Sequence, residues 1–369
     1  MQQPNLRAQR VHGLDILRAL AIIMVLVTHS KGILLPWFPW LRHCAIFGYF
    51  GVELFFVLSG FLIGRILIRI FSRQERVRPG RLFRFWIRRW FRTLPNYYLV
   101  LIGIIFLAVF YGHTGPDWRY FFFVQNLSAP HPPWFGEAWS LAVEEWFYLT
   151  TPVLFVIGAG IFRFLSPKTR ILIVILGVLG GSLGMRVLEV LWHDPRWDSG
   201  VRKVVVFRLD AIMTGVLWAW VAFWYPGFMR KYDKRFLGCG LILILLSVGT
   251  YFGLDKNVSL YARTLYFTLT SLGFSLLLPI CSRIDDPGTG RARLTRHLSL
   301  VSYSIYLTHL SIIQFFLIRY LPMQTLVQAM GGYILYWVLC LVLAYPLYRW
   351  YEVPVMNLRD RFSRRSDAG

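Results

Sequence analysis

Ten apolar runs dominate this chain and leave few folds open to it. They fall at roughly 14–36, 46–70, 93–112, 139–162, 171–192, 204–225, 236–254, 261–282, 298–320 and 331–352. Each approaches or exceeds the ~20 helical residues that cross a hydrocarbon core of about 30 Å. Lipid offers no partner to an open backbone, so only helices or closed barrels cross it. With 56% hydrophobic residues, the chain reads as one all-α polytopic membrane domain over 1–369. It has about ten transmembrane helices and no fused soluble domain. The first run lacks a small-residue cleavage site and is too long for a signal-peptide core, so it reads as a retained helix.

A formal charge of +22 suggests nucleic acid, but the placement of the charges argues against that partner. Of 40 Lys and Arg, nine fall in external segments: Lys31, Arg42, Arg119, Arg196, Arg202, Lys203, Lys256, Arg263 and Arg319. Arg18, Arg186 and Arg208 lie within spans, and the remaining 28 are cytoplasmic. This is the positive-inside asymmetry, with both termini in the cytoplasm. Loop arginines then set topology and bind anionic membrane lipids. The oddest segment is 65–92, with ten arginines, one acid (Glu75) and interleaved Phe83, Phe85, Trp86, Trp90 and Phe91. It suits a basic cytoplasmic interfacial helix. Cys44, Cys239, Cys281 and Cys340 are scattered without a CxxC pair, which predicts neither a disulfide framework nor a metal site.

Ionisable residues inside a bilayer are costly, so each is a functional hypothesis. Arg18 and His29 are eleven residues apart on the first span. They therefore share a helix face to within ~20°, roughly 16 Å apart along the axis. A permanently charged guanidinium suits anion binding, and an imidazole suits proton transfer. Counted at ~1.5 Å per residue, His29, Glu53, Glu144 and Asp210 fall in one layer of the outer half, with Ser140 one turn above Glu144. His309 sits near mid-membrane. Such a layer predicts a hydrated chamber. Plainer readings stand beside it. Arg186 would pair with Glu189. Arg208 and Asp210 would tie helices together, Asp15 would orient Arg18, and His309 would be a packing hydrogen bonder. Adjacent Glu144 and Glu145 need cations or a proton.

The chain resembles the acyltransferase-3 family of bacterial integral-membrane O-acyltransferases, over nearly its whole length. The likeness opens with Gly-Leu-Asp-Ile-Leu-Arg-Ala-Leu-Ala-Ile at 13–22 and the Arg18/His29 pair. It continues in Phe-Gly-Val-Glu-Leu-Phe-Phe-Val-Leu-Ser-Gly-Phe-Leu-Ile at 50–63 and in Arg88-Arg89-Trp90-Phe91-Arg92, followed by Pro95. Trp-Ser-Leu-x-Val-Glu-Glu-x-Phe-Tyr at 139–148, the segments 207–215 and 302–309, and Tyr351-Glu352-x-Pro354 complete it. Two departures stand out. Trp146 occupies a position where many members have Gln, and no SGNH-type hydrolase domain follows the last span. A two-step transfer through such a domain would need a separate periplasmic transferase.

The resemblance implies an acyl group, acetyl in the first instance, taken from cytoplasmic acyl-CoA and placed on a glycan or lipid-linked sugar hydroxyl outside the inner membrane. Acyl-CoA is then a substrate, with no permanently bound cofactor. In this scheme Arg18, Arg88, Arg89 and Arg92 bind the donor. His29 is the base or a transient acyl carrier, with Glu144 or Glu53 orienting it. Asp15, Ser140, Glu145, Arg208, Asp210 and His309 support the site. The alternative from another class is a proton-coupled transporter of small organic acids, which would also carry a mid-membrane ring of acids, His and Arg.

Overall fold

The computed structural model describes residues 10–72, 79–112, 115, 117–132 and 134–365, with the side chains of 360–365 left out. No strand occurs among the described residues. Ten helical segments follow the apolar runs. They are α1 (His12–Leu34), α2 (Ala45–Ser72), α3 (Pro79–Phe110), α4 (Ala138–Ile161) and α5 (Pro167–His193). Then come α6 (Leu209–Trp224), α7 (Asp233–Gly253), α8 (Leu265–Ser275), α9 (Gly290–Thr308) and α10 (Leu326–Pro346). Eight segments are long and apolar enough to cross a membrane, while α6 and the α8 region are shorter. The α8 run is interrupted where Thr264 leaves helical geometry, at φ −124° and ψ −85°. A separate turn, Leu278–Cys281, follows it, with Pro279 near its start.

The basic segment 65–92 is not an element of its own. Arg65 and Arg69 belong to α2, and 81–92 form the first part of α3, which runs on through Pro95. Arg73, Glu75, Arg76 and Arg78 lie outside the described residues.

Small residues set the centre of the bundle. Helix α2 packs most heavily on α6 and α1. A Cβ added at Gly60 would lie 1.8 Å from the Ile212 carbonyl oxygen, and one at Gly215 would lie 2.1 Å from that of Val57. The two backbones therefore meet where glycine alone fits, as small residues allow between membrane helices. Gly60→Ala and Gly215→Ala should each reduce thermal stability in detergent, at or above the upper end of the ~1–3 kcal/mol usual for overpacking. Gly103→Ala meets nothing within 4 Å and should leave the melting midpoint in place. Equal midpoints for all three variants would contradict this packing.

The chain's last family-like motif closes the bundle. Glu352 accepts hydrogen bonds from Asn96 Nδ2 on α3 (2.9 Å) and from Ser304 Oγ on α9 (3.0 Å). The Tyr351 hydroxyl donates to the Pro95 carbonyl at 3.3 Å. The segment Leu347–Glu352 is thereby tied to α3, which carries Arg89 and Arg92, and to α9, which ends one residue before His309.

Candidate active site

Two cavities lie along α1, one at Arg18 and one at His29, as their separation along one helix face requires. The Arg18 cavity holds about 100 Å³ and is lined by Arg18, Ser59, Arg89, Arg92, Ser140, Glu144 and Tyr148, among others. The His29 cavity holds about 500 Å³. Val52 and Tyr306 line both. They form a partition between a slot and a chamber.

The slot is rich in positive charge. Arg18 and Arg92 make no hydrogen bond or ion pair with protein among the described residues. Arg89 Nε is buried without a partner. The one carboxylate lining the slot, Glu144, accepts from Ser59 Oγ (2.7 Å) and the Tyr148 hydroxyl (3.2 Å). Free guanidinium donors around a narrow space suit a thin polyanionic ligand. Arg88 is exposed and does not line the slot. Of the three motif arginines grouped from the sequence, the structure brings only Arg89 and Arg92 to this cavity.

The chamber's histidine is held by a partner that depth counting did not reveal. His29 Nδ1 lies 3.0 Å from His309 Nε2, and His309 Nδ1 lies 2.7 Å from the Tyr306 carbonyl oxygen. A carbonyl only accepts, so His309 Nδ1 carries its hydrogen. With both rings neutral, His309 Nε2 is then the acceptor and His29 Nδ1 the donor. This leaves the His29 lone pair on Nε2, which makes no protein hydrogen bond among the described residues. His309 opens a π-helical turn, His309–Gln314, between α9 and Phe315–Tyr320. Such turns recur at functional sites because the extra residue re-aims side chains. Gln314 Nε2 in the same turn donates to the His29 carbonyl at 3.1 Å.

Several sequence-derived site residues lie elsewhere. Glu53 does not reach His29. It is fully buried, paired with Arg208, and accepts from Ser271 Oγ at 2.6 Å. Asp210 pairs with Arg186 at 2.7 Å and accepts from Thr268 Oγ1 at 2.6 Å. Arg186 therefore does not pair with Glu189, which instead meets His193. Glu53, Arg186, Arg208 and Asp210 line neither cavity. They form a buried ionic network tying α2, α5, α6 and α8. Glu144 lies with Arg18 rather than His29, so the five-residue hydrated layer separates into a slot, a chamber and this network. Asp15 accepts from Arg10 (2.6 and 2.7 Å) and Ser299 (2.6 Å), which ties α1 to α9 without touching Arg18. Glu145 faces Thr93 and lines neither cavity. Ser140 Oγ lies 2.6 Å from the Tyr306 hydroxyl, at the partition. Trp146 meets the polar need of its position: its indole N–H donates to the Phe123 carbonyl at 3.0 Å.

Sequence reasoning missed the chamber wall. Lys31, Glu137, Asp198, Arg202 and Lys203 line it with Tyr49, Trp139, Trp197 and Tyr251. Burial would raise the Asp198 carboxyl, but the charges of Arg202 and Lys203 outweigh it and hold the group below its ordinary 3.8. Burial pushes Glu137 up to about 7, although Ser311 hydrogen-bonds it. The available signal was the gathering of Arg202, Lys203 and Asp198 within six residues of Trp197.

Comparison with known proteins agrees with this architecture. An acyltransferase domain family model matches residues 11–349. The peptidoglycan O-acetyltransferase OatA of Listeria monocytogenes is 30% identical over 334 residues, covering 82% of this chain and 49% of that protein. YrhL of Bacillus subtilis, named provisionally as a peptidoglycan O-acetyltransferase, is 28% identical over 394 residues, covering 96% of this chain and 56% of its own length. The chain spans about half the length of the curated relatives it matches. With the family model covering nearly the whole bundle, both cavities and the histidine pair, the chain belongs to the acyltransferase-3 family and is a multi-pass membrane protein.

Proposed function

We propose that this protein moves an acyl group, acetyl in the first instance, from cytoplasmic acyl-CoA to a hydroxyl of a glycan or glycolipid beyond the bacterial inner membrane. Two cavities with one common wall carry this reading. The slot has the arginines for a polyphosphorylated donor, and its small volume of about 100 Å³ fits a thin pantetheine arm better than a sugar. The chamber has room for a sugar and presents His29. The positive-inside count supports a cytoplasmic slot and an external chamber.

The chemistry is acyl transfer from a thioester. His29 Nε2 takes the proton of the acceptor hydroxyl, whose oxygen attacks the thioester carbonyl beside the Val52–Tyr306 partition. The C–S bond breaks as the new C–O bond is kept. The CoA thiolate leaves through the slot and recovers the proton from the imidazolium. His309 holds His29 in the tautomer that this step needs, and so acts as a positioning residue. Glu144, kept apart from His29, sets the electrostatic environment of Arg18 and Arg92.

Acyl-CoA binding tests the donor half. Each charge-assisted hydrogen bond to phosphate contributes about 1.5–3 kcal/mol. Arg89→Ala and Arg92→Ala should therefore each weaken acyl-CoA binding about tenfold or more, and Arg88→Ala should change it far less. Isothermal titration of the purified protein measures this. Unchanged affinity in the Arg89→Ala/Arg92→Ala double variant would sink the donor assignment.

A further inference from the structure

The wide chamber is more than a space beside His29. Three of the nine cations assigned to external segments, Lys31, Arg202 and Lys203, line this one cavity. Asp198 is shared between Arg202 (2.5 Å) and Lys203 (2.7 Å), so one carboxylate faces two cations. Among the described residues, Lys31 has no carboxylate partner and donates only to the Thr28 carbonyl of its own helix, at 2.8 Å. The remaining acid, Glu137, is occupied by the backbone N–H and hydroxyl of Ser311. The lining therefore carries excess positive charge.

The rest of the wall is rigid and offers a hydroxyl partner. The Arg202 guanidinium lies 4.8 Å from the Trp139 ring centre and 5.6 Å from that of Trp197, which fixes both cation and rings. The Trp197 indole is locked by donation to the Ala262 carbonyl at 3.0 Å. Both indoles are buried, and Phe267 stacks on Trp197 at 5.4 Å, so they brace Arg202 and the wall. Gln314 Oε1, buried and without a partner, offers an acceptor for a hydroxyl.

We infer that the acceptor is an anionic glycan, a sugar bearing a carboxylate or phosphate, whose acid group is bound by Lys31 and Lys203. This rests on the chamber being the acceptor cavity of the function proposed above. Arg202, committed to Asp198 and to two indoles, shapes the site. Lys31 and Lys203 supply the charge that distinguishes an acidic acceptor from a neutral one.

Binding to the full-length protein in nanodiscs tests this without requiring transfer. The probes are a uronic-acid oligosaccharide beside its uronamide, and a sugar phosphate beside the free sugar, each followed by tryptophan quenching. At least one acidic probe should bind about tenfold or more tighter than its neutral counterpart, the scale of one charge-assisted contact. The preference should weaken at high salt. Lys203→Gln, which leaves Asp198 with Arg202, and Lys31→Gln should each remove most of it. Equal binding of acidic and neutral probes, binding of none, or a preference that survives both substitutions would overturn the inference. Acyl-CoA titration of the same samples separates the two failures. Lost glycan preference with intact acyl-CoA binding refutes the anionic acceptor alone, whereas wild-type protein that binds no acyl-CoA counts against the acyltransfer scheme itself.

Discussion

His29→Ala should abolish acyl transfer while the protein stays folded in the membrane. Removing a positioned general base typically costs about 10²–10⁴-fold in rate. Here it also removes the only free imidazole nitrogen of the histidine pair. Little stability is at stake, because among the described residues the His29 side chain makes one hydrogen bond, to His309. His309→Ala should lower kcat by a smaller factor and leave the KM for acyl-CoA in place, since His309 lines neither cavity and acts only through His29. Product formation from radiolabelled acyl-CoA, read beside a melting curve, checks both variants. Near-normal turnover in His29→Ala would remove the proposed chemistry.

Arg208→Met should do the opposite, unfolding the protein without touching either cavity. It leaves the Glu53 carboxylate in a fully buried site with Ser271 as its remaining partner. Breaking a buried ion pair on one side costs about 3–5 kcal/mol, whereas replacing both partners with apolar groups is often neutral. The double variant Glu53→Leu/Arg208→Met should therefore recover most of the loss. Thermal unfolding in nanodiscs measures the cycle. If Arg208→Met melts with wild type, or the double variant is worse than either single, the network is not the structural tie described. The contrast with His29→Ala matters: one substitution removes activity and keeps stability, and the other removes stability through residues at the same membrane depth.

Depth is what the sequence makes legible, and direction is what it hides. Apolar run lengths located ten helical segments, and helical periodicity placed Arg18 and His29 on one face of α1. Counting at a fixed rise then put Glu53 level with His29, which is a statement about height alone. Val52 and Glu53 are neighbours turned about 100° apart. Val52 faces both cavities, while Glu53 faces Arg208 and Ser271. No single-helix argument chooses between them, because the choice depends on which helix packs where. The α2–α6 contact through Gly60 and Gly215 makes that choice. The histidine pair was hidden for a related reason. Helical counting places His309 at a height but not beside His29, which depends on how α9 packs on α1. Arg88, Arg89 and Arg92 read as one group from spacing. Burial separates the exposed Arg88 from the two that reach the slot.

Vectorial transfer is the most direct test of donor and acceptor meeting at one wall from opposite sides. The protein is reconstituted into sealed vesicles, and its orientation is fixed by labelling a Ser128→Cys variant with an impermeant thiol reagent. Radiolabelled acyl-CoA is supplied only on the face that carries the arginine-rich end of α3, and glycan acceptor only on the face where Ser128→Cys reacts. Labelled glycan should accumulate on that second face, and should vanish with His29→Ala. Transfer that occurs only when both substrates share one face would contradict the two-cavity mechanism, whatever the activity of the solubilised enzyme.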